Sequence, residues 1–198
     1  MRYPKDHKDQ ARQRLLQASA AHAKAHGFAA SGMDTLAAAA GVTVGSLYKH
    51  FSGKDALFAE LITSELQRSA GLFASLPEGD APALLKLLSG YTSLRHVRSP
   101  EAGCPLPGLS AEVARAPDAV RAAFQAGLQQ VHAAVADRVG GDAGLAWALI
   151  AQSVGAVLLA RAPPDEAVQQ ALLRGVRETT AALIGAEAPR RTDPNRAA

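Results

Sequence analysis

The sequence predicts an all-α fold, with a small three-helix domain at the amino terminus, a larger helical domain after it and about nine helices in all. Aromatic residues make up 5% of the chain, and no stretch alternates apolar with polar residues cleanly over six positions, so signals for β-strands are scarce. Hydrophobic residues make up 48% of the 198 residues, which suits a globular protein that buries a real core.

The first predicted helix runs from about Lys8 to His26. Its apolar residues, Leu15 and Leu16 among them, can cover the helices that follow. Gly27 comes directly after it, and a glycine there is typical of a helix end because it adopts the left-handed conformation without strain. Phe28 is available to the same core.

Residues 33–58 carry the most informative pattern, MDTLAAAAGVTVGSLYKHFSGKDALF. Met33 to Ala40 lacks glycine and proline, as a short helix should, and Gly41 supplies the permissive backbone of a tight turn. Thr43 is a natural N-cap for a helix over 44–50. Two short helices joined in this way predict a helix-turn-helix.

The second of these helices has one face to bury and another to present. Leu47 and Phe51 lie one turn apart and form the apolar face. Ser46, Lys49 and His50 lie elsewhere around the helix. The pattern predicts a helix that packs by one side and reads duplex DNA in the major groove by the other.

This region resembles the TetR family of bacterial transcriptional regulators. The matching positions are Gly27-Phe28, Leu36-Ala37, Ala39-Ala40-Gly41-Val42-Thr43, Gly45-Ser46-Leu47-Tyr48, His50-Phe51 and Lys54-Asp55-Ala56-Leu57. Small residues at such spacings occur by chance in alanine-rich helices, but their combination with Tyr48, Phe51 and Lys54 is highly specific. The rest of the chain is similar to the family only in length and helical pattern, as expected of its variable ligand-binding half.

The resemblance implies a homodimer that places one helix-turn-helix per subunit on a palindromic double-stranded DNA operator. Half-sites about one helical turn apart, roughly 34 to 36 Å or a little more, would suit such a dimer. It also implies a small-molecule effector that binds the larger domain and releases a repressor from DNA.

Eight residues are candidates for contact with DNA. Those at the start or outer face of the second helix can reach base edges or phosphates, whereas Thr35 and Lys54, near helix N-termini, should position phosphate. The resemblance implies a phosphate contact for Tyr48, although its ring can also be buried, and Lys49 and His50 can also be a solvated face. The predicted set is Thr35, Thr43, Val44, Ser46, Tyr48, Lys49, His50 and Lys54.

The larger domain is predicted to begin with a long fourth helix. Ser52 and Asp55 form a capping-box pattern, so this helix should run from about Gly53 to Ala74. The next predicted elements are a break at 77–82, a fifth helix over 83–97, a proline-rich loop over 99–108 and a short sixth helix over 109–114.

Three longer helices follow. Pro117 and Asp118 open the seventh with a proline in the first turn and a carboxylate near the positive end of the helix dipole, and Gly140-Gly141 ends it. The eighth is capped by Asp142 and ends at Pro163-Pro164, and the ninth runs from Asp165 to about Ile184.

Apolar stripes on the eighth and ninth helices predict a bundle. They can be buried within one subunit or between two, and the resemblance implies dimers built from such a helix pair on each subunit. The predicted interface residues are Val154, Val157, Leu158, Val168, Leu172 and Val176.

Effector-binding candidates lie in the larger domain. Cys104 lies ahead of the short sixth helix, with Arg95, His96 and Arg98 upstream, so it is either a reactive thiol or a small buried hydrophobe; we expect the latter. The other candidates lie where they can line a cavity. The predicted set is His96, Cys104, His132, Trp147 and Gln152.

Charge is distributed unevenly along the chain. Residues 1–54 carry eight Lys or Arg against three Asp, a balance of +5, whereas residues 55–188 carry ten against fourteen acidic residues, a balance of −4. The excess positive charge lies with the helix-turn-helix, as binding to DNA requires.

Several function classes have no support in the sequence. The sequence lacks HExxH, CxxC, GxSxG, Walker and GxGxxG motifs, and its six histidines are not grouped at metal-ligand spacings, so we expect no enzyme, cofactor or metal site. A polar start, no apolar run of 18 residues and a single cysteine favour a cytoplasmic protein without a signal peptide or membrane span.

The predicted domains are a DNA-binding domain over 1–54, a ligand-binding and dimerisation domain over 55–185 and a disordered tail over 186–198. The predicted function is a ligand-responsive transcriptional repressor. The alternatives are a redox or electrophile sensor that acts through Cys104, a helical ligand-binding protein with a vestigial DNA-binding head, and an enzyme that carries a helix-turn-helix.

Overall fold

A computed structural model describes residues 5–187, and within them the structure consists of ten α-helices, two 3₁₀ turns and no strand. The predicted all-α fold is confirmed. The helices are α1 (Lys5–His26), α2 (Met33–Ala39), α3 (Val44–Tyr48), α4 (Lys54–Ala74), α5 (Ala81–Tyr91), α6 (Leu94–Arg98), α7 (Leu106–Val113), α8 (Asp118–Ala136), α9 (Ala143–Ala160) and α10 (Glu166–Glu187), and the 3₁₀ turns are Pro100–Ala102 and Asp137–Val139.

The fifth predicted helix forms two helices, α5 and α6. Thr92 adopts a non-helical backbone conformation (φ −87°, ψ 52°), and its hydroxyl donates to the carbonyl of Leu88 over 2.9 Å. The hydroxyl of Ser93 accepts from the amide of His96 in the first turn of α6. Two hydroxyls that bond locally to the backbone account for the break. The predicted tail, residues 186–198, begins within α10, which ends at Glu187, and from residue 188 onward it lies outside the described residues.

The described residues form two compact units. Unit one comprises the chain up to Ala70 together with Ser99–Val131, and unit two comprises Gly71–Arg98 together with the chain from His132. The predicted boundary between residues 54 and 55 stays a prediction about where the DNA-binding part ends.

Unit one is held by an apolar core and a buried ion pair. Leu36, Leu47 and Leu61 have no exposed surface, and predicted core residues Leu15 and Leu16 are buried as well. The Nζ atom of Lys24 on α1 lies 2.6 Å from an Oε atom of Glu65 on α4, with both side chains almost completely buried. Lys24 also donates to the carbonyl of Gly103, so this polar centre joins three separate segments.

Two further close approaches shape unit one. The rings of Phe28 and Phe58 stack with centroids 4.1 Å apart. Gly127 on α8 lies so close to α4 that an added Cβ would come within 2.7 Å of the Leu66 side chain. A side chain at Gly127 would therefore push the two helices apart.

The core of unit two lies where α5 and α6 meet α9 and α10. The cluster of buried residues consists of Val97, Ala156, Val157, Ala160 and Leu173, and Leu172 and Val176 pack against it. Val157 has no exposed surface to offer a second subunit. Its predicted place in a dimer interface is wrong, because it faces the core of its own subunit.

Arginines fix α6 to the long helices of unit two. Arg161 donates to the carbonyls of His96 and Val97, at 3.2 and 3.4 Å, and Arg177 donates to that of Thr92 at 2.5 Å. Arg98 forms an ion pair with Glu166, and this bond and charge hold the pKa of Glu166 below its usual value. These contacts satisfy carbonyls at helix ends that would otherwise lack partners.

Helix α9 is apolar enough to meet the length and composition criteria for a membrane span. Its 18 residues have a mean hydropathy of 1.8, and 33% of them are buried within the protein. Gln152 and Ser153 interrupt it, so it is not a continuous apolar run of 18 residues. The core helix of a soluble protein meets the same criteria, and α9 supplies much of the core of unit two.

We predict that Leu173→Ala lowers the free energy of unfolding by about 2 to 5 kcal/mol, because it leaves a cavity in a packed core. Leu173 is 1% exposed, whereas Leu72 on α4 is 54% exposed, so the control Leu72→Ala should change stability by about 0.5 kcal/mol or less. Urea denaturation measures both variants. Equal losses would contradict the assignment of Leu173 to the core.

Candidate nucleic-acid interface

Local backbone chemistry positions helix α3. Thr43 adopts an extended conformation before the helix, and its hydroxyl accepts from the amide of Ser46 over 3.2 Å, as the sequence predicts for an N-cap. Gly41 has φ +69°, a left-handed conformation that glycine adopts without strain. The amide of Val42 bonds to the carbonyl of Ala37 at 3.0 Å, which closes the turn onto α2.

The recognition helix is shorter than predicted. It ends at Tyr48, and Lys49 and His50 form a turn in which the His50 amide bonds to the carbonyl of Leu47. Leu47 is fully buried and Phe51 is 2% exposed, so the predicted inward face is confirmed. This packing holds a five-residue helix that would be unstable alone.

The opposite face of α3 is open to solvent. Val44 is 39% exposed and Tyr48 is 53% exposed, and the side chains of Thr43 and Lys49 are also exposed. The ring of Tyr48 is thus not part of the core in the free protein. An apolar and an aromatic side chain exposed together on a helix-turn-helix indicate a surface that meets a partner.

Two other predicted residues on this face are half-buried. Ser46 donates its amide to the cap, and His50 lies beside the ring of Phe51 with centroids 6.3 Å apart. The Nδ1 atom of His50 is buried and has no hydrogen-bond partner within the described part of the chain. His50 is thus less accessible than Lys49 for contact with a base.

Thr35 and Lys54 lie near the N-termini of α2 and α4, as predicted, but they differ in environment. Thr35 is exposed. Lys54 is half-buried; its Nζ atom donates to the carbonyl of Ala29 over 2.9 Å and lies 5.3 Å from the ring centroid of Phe28. Lys54 therefore holds the turn after α1, so a phosphate would compete with a bond already made.

Two of the eight basic residues in 1–54 are paired with carboxylates in unit one. Arg12 forms an ion pair with Glu60 and lies 5.1 Å from the ring centroid of Phe51, while Lys24 is buried against Glu65. No ion pair of Lys49 is found among residues 5–187. The positive charge of Lys49 is therefore exposed beside α3 and is not compensated by an ion pair among the residues that the structure describes.

A carboxylate that the sequence analysis missed lies against the turn between α1 and α2. The two carboxylate oxygens of Glu112, on α7, accept from the amides of Phe28 and Ala29, at 3.1 and 2.5 Å. Gly27 precedes them with φ +85°. No local sequence pattern could indicate this contact, because Glu112 lies 84 positions after Phe28 and 83 positions after Ala29.

Four of the predicted effector-binding residues lie in unit two, and each makes contacts there. His132 and Trp147 stack with centroids 4.1 Å apart, and His132 also bonds to the carbonyl of Ala143. Gln152 donates to the hydroxyl of Thr180 on α10, and His96 bonds through Nδ1 to the carbonyl of Tyr91. The stack brings two residues of the predicted set, His132 and Trp147, into contact.

Cys104 belongs to unit one and is half-buried. Its Sγ atom lies 4.0 Å from the hydroxyl of Ser69, and the carbonyl just before it, that of Gly103, accepts from Lys24 and, at 3.5 Å, from Arg68. These two cations, on α1 and α4, lie beside this loop.

An open cavity of about 410 Å³ lies between α7 and α8 in unit one. Its lining residues are Ser110, Val113, Ala114, Asp118, Arg121, Ala122, Phe124 and Gln125. None of the predicted effector-binding residues contributes to it. Within the described residues, no group of three or more His, Cys, Asp or Glu side chains could hold a metal ion.

The outer surfaces of α9 and α10 expose large apolar side chains. Leu158 and Val168, both predicted for the dimer interface, are 51% and 50% exposed. Leu159, which the prediction omitted, is 60% exposed. Val154, Leu172 and Val176 are half-buried.

Residues 15–61 match the family described as bacterial regulatory proteins, tetR family. The predicted resemblance is confirmed for the region that contains the helix-turn-helix. No curated protein sequence matches the chain.

Solved structures share the fold over most of the chain. The reduced form of E. coli NemR has a TM-score of 0.74 at 20% identity, over 88% of this chain and 97% of that chain. A TetR-family regulator from Cytophaga hutchinsonii has a TM-score of 0.73 at 21% identity, over 91% and 96% of the two chains. A TetR regulator from Chloroflexus aurantiacus has a TM-score of 0.71 at 20% identity, also over 91% and 96%.

Proposed function

We propose that this chain, which has the fold of TetR-family transcriptional regulators, is a cytoplasmic homodimeric repressor that a small molecule releases from a palindromic operator. The exposed outer face of α3 carries the proposal. Leu47 anchors this short helix and Thr43 caps it, while Val44 and Tyr48 remain exposed. In the major groove Val44 can contact a thymine methyl group, and Tyr48 can donate to a phosphate.

Charge and exposure suggest different tasks for the two lysines. Lys49 is exposed at the end of α3, where it can reach a base edge. Lys54 begins α4, where helix N-terminal amides favour a phosphate, but its ammonium already holds Ala29. We expect Lys54 to add affinity without reading sequence.

The exposed apolar face of α9 and α10 supports a homodimer. Leu158, Leu159 and Val168 each leave half or more of their surface in water, and all three lie on the helix pair that TetR-type dimers are expected to share. A second copy of the chain would cover the same patch on both subunits, as two-fold symmetry requires. The dimer then places two recognition helices on one operator.

An effector would act through a difference in affinity between two conformations. The effector releases the repressor from DNA only to the extent that it binds one conformation more tightly than the other. The favoured conformation is the one in which the spacing of the two recognition helices does not match the half-sites. The stacked pair of His132 and Trp147 is the predicted contact that the structure best supports, since a flat ligand can extend the stack.

A second candidate function is the sensing of oxidants or electrophiles by Cys104. Lys24 and Arg68 bond to the carbonyl of Gly103, directly before Cys104, and reactive cysteines are typically found beside basic residues. The chain has one cysteine, so an oxidised thiol could be resolved only by glutathione or by a disulfide between subunits. We therefore propose a structural role for Cys104 rather than a role as a sensor.

Selection of genomic fragments by the protein tests the function as a whole. A repressor should retain a few sequences, and retention should weaken steeply as salt rises because phosphate contacts release counterions. Retention without selectivity would favour a vestigial DNA-binding head. Strand cleavage in the same reaction would favour an enzyme that carries a helix-turn-helix.

We predict that Lys49→Ala costs about 1 to 3 kcal/mol on the selected operator and relaxes its preference at one position. Lys54→Ala should weaken binding about equally for all sequences and lower the salt slope by about 0.9 per contact. Lys86→Ala, at an exposed position on α5, is the control and should change neither. Fluorescence anisotropy over a salt series measures all three. Equal effects of both test variants on operator and random DNA would exclude base reading by Lys49.

We predict that Leu158→Glu converts the dimer to folded monomers, because it places a charge in an apolar interface. Leu72→Glu is the matched control, since Leu72 is 54% exposed on α4, and it should leave the dimer intact. Leu172 is unsuitable, because it packs against its own core. Sedimentation velocity with circular dichroism measures both, and a folded Leu158→Glu dimer would reject this interface.

We predict that Cys104→Ser leaves both operator binding and release by peroxide or electrophiles as in the wild type, because the proposed effector binds without a covalent bond. The substitution keeps the size of the side chain nearly constant. A gel-shift titration compares the two proteins. Release of the wild type alone would establish the thiol sensor instead.

A further inference from the structure

We propose that Glu112 is a positioning residue for operator reading: its carboxylate, reaching from α7, fixes the turn between α1 and α2 and thereby the helix-turn-helix. This inference rests on the proposed function. Helix α1 ends at His26, and the amides of Phe28 and Ala29 then lie beyond any helical acceptor. One carboxylate accepts from both, at 3.1 and 2.5 Å, and such charge-assisted bonds are stronger than neutral ones.

The same turn is held on its other polar groups as well. Lys54 donates to the carbonyl of Ala29 at 2.9 Å, and the hydroxyl of Ser31 donates to that of Gly27 at 2.7 Å. Lys54 on α4 and Glu112 on α7 therefore bond to neighbouring peptide groups of the turn. We call the two bonds from Glu112 to the amides of Phe28 and Ala29 the turn clamp.

Gly27 makes room for the turn clamp. Its φ of +85° is a conformation that other residues rarely adopt, and a Cβ atom there would lie 3.0 Å from Oε1 of Glu112. A side chain at this position would therefore press on the carboxylate as well as strain the backbone. The glycine that the sequence analysis interpreted as a helix stop also gives access to the distant anion.

The turn held by Glu112 leads directly into the helix-turn-helix formed by α2 and α3. Phe28 is buried against Phe58 of α4, and α2 begins at Met33, only a few residues after the turn. Helix α2 in turn packs on α3 through the closed turn at Val42. A shift of the clamp is therefore carried to α3 through packed elements.

Helix α7 connects the turn clamp to an open cavity in unit one. Val113 and Ala114, directly after Glu112, line the open cavity between α7 and α8. Anything that moves α7 moves the carboxylate that holds the turn. Operator reading is then sensitive to a segment more than fifty residues beyond α3 in the sequence.

The ratio of operator affinity to affinity for a scrambled duplex tests the proposal. Base reading needs the recognition helix held closely in place, whereas non-specific binding depends on charge. Glu112→Ala should lower this ratio about tenfold or more, the effect of losing bonds to a charged group. Glu112→Gln, which keeps one acceptor oxygen, should lower it less.

Glu101→Ala is the control, because it removes the same charge from an exposed position in unit one and should leave the ratio unchanged. Amide exchange without DNA gives a second readout: the Phe28 and Ala29 amides should exchange faster in Glu112→Ala than in the wild type. Should Glu112→Ala not fold, Glu112→Gln decides by both readouts.

A folded Glu112→Ala protein with the ratio of the wild type would overturn the positioning role. A wild type without sequence selectivity would overturn the proposed function and the positioning role together. The two failures differ, because only the second removes selectivity from the unmodified protein.

Discussion

The buried ion pair between Lys24 and Glu65 is the contact on which the arrangement of unit one depends. Each charge requires the other, since an unpaired buried ion costs on the order of several kcal/mol. Lys24 also bonds to the carbonyl of Gly103, and Arg68 approaches Glu65 from the exposed side at 2.8 Å. Helices α1 and α4 are thereby tied to the loop that precedes α7. Unit one thus includes a segment from the middle of the chain.

Features that arise within a few residues could be predicted from the sequence. The Thr43 cap, the buried face of Leu47 and Phe51, and the left-handed glycine after α1 each follow from local backbone chemistry. Contacts between distant residues could not be predicted. The pair of Arg12 and Glu60 joins positions 48 residues apart, so charge counting overestimates the positive surface that remains for DNA.

Helical periodicity identifies stripes but does not tell which stripe is covered by the same chain. Val157 and Leu158 are neighbours in sequence, yet the first is fully buried and the second is half exposed. The predicted stripe combined the two because both are apolar and a helix turns only about 100° per residue. Packing by α5 and α6, which periodicity on α9 cannot reveal, decides between them. The predicted set of interface residues omitted Leu159 for the same reason, although 60% of its surface is exposed.

Trp147 lies on α9 with its indole stacked on the imidazole of His132 and 42% of its surface exposed. It is the only tryptophan in the chain. The tryptophan emission of the whole protein therefore arises from one corner of unit two, where α8 leads into α9. Its wavelength depends on the water around that single indole, so a ligand or a second subunit that covers the corner shifts the emission to the blue. The unmodified chain thus carries its own optical label.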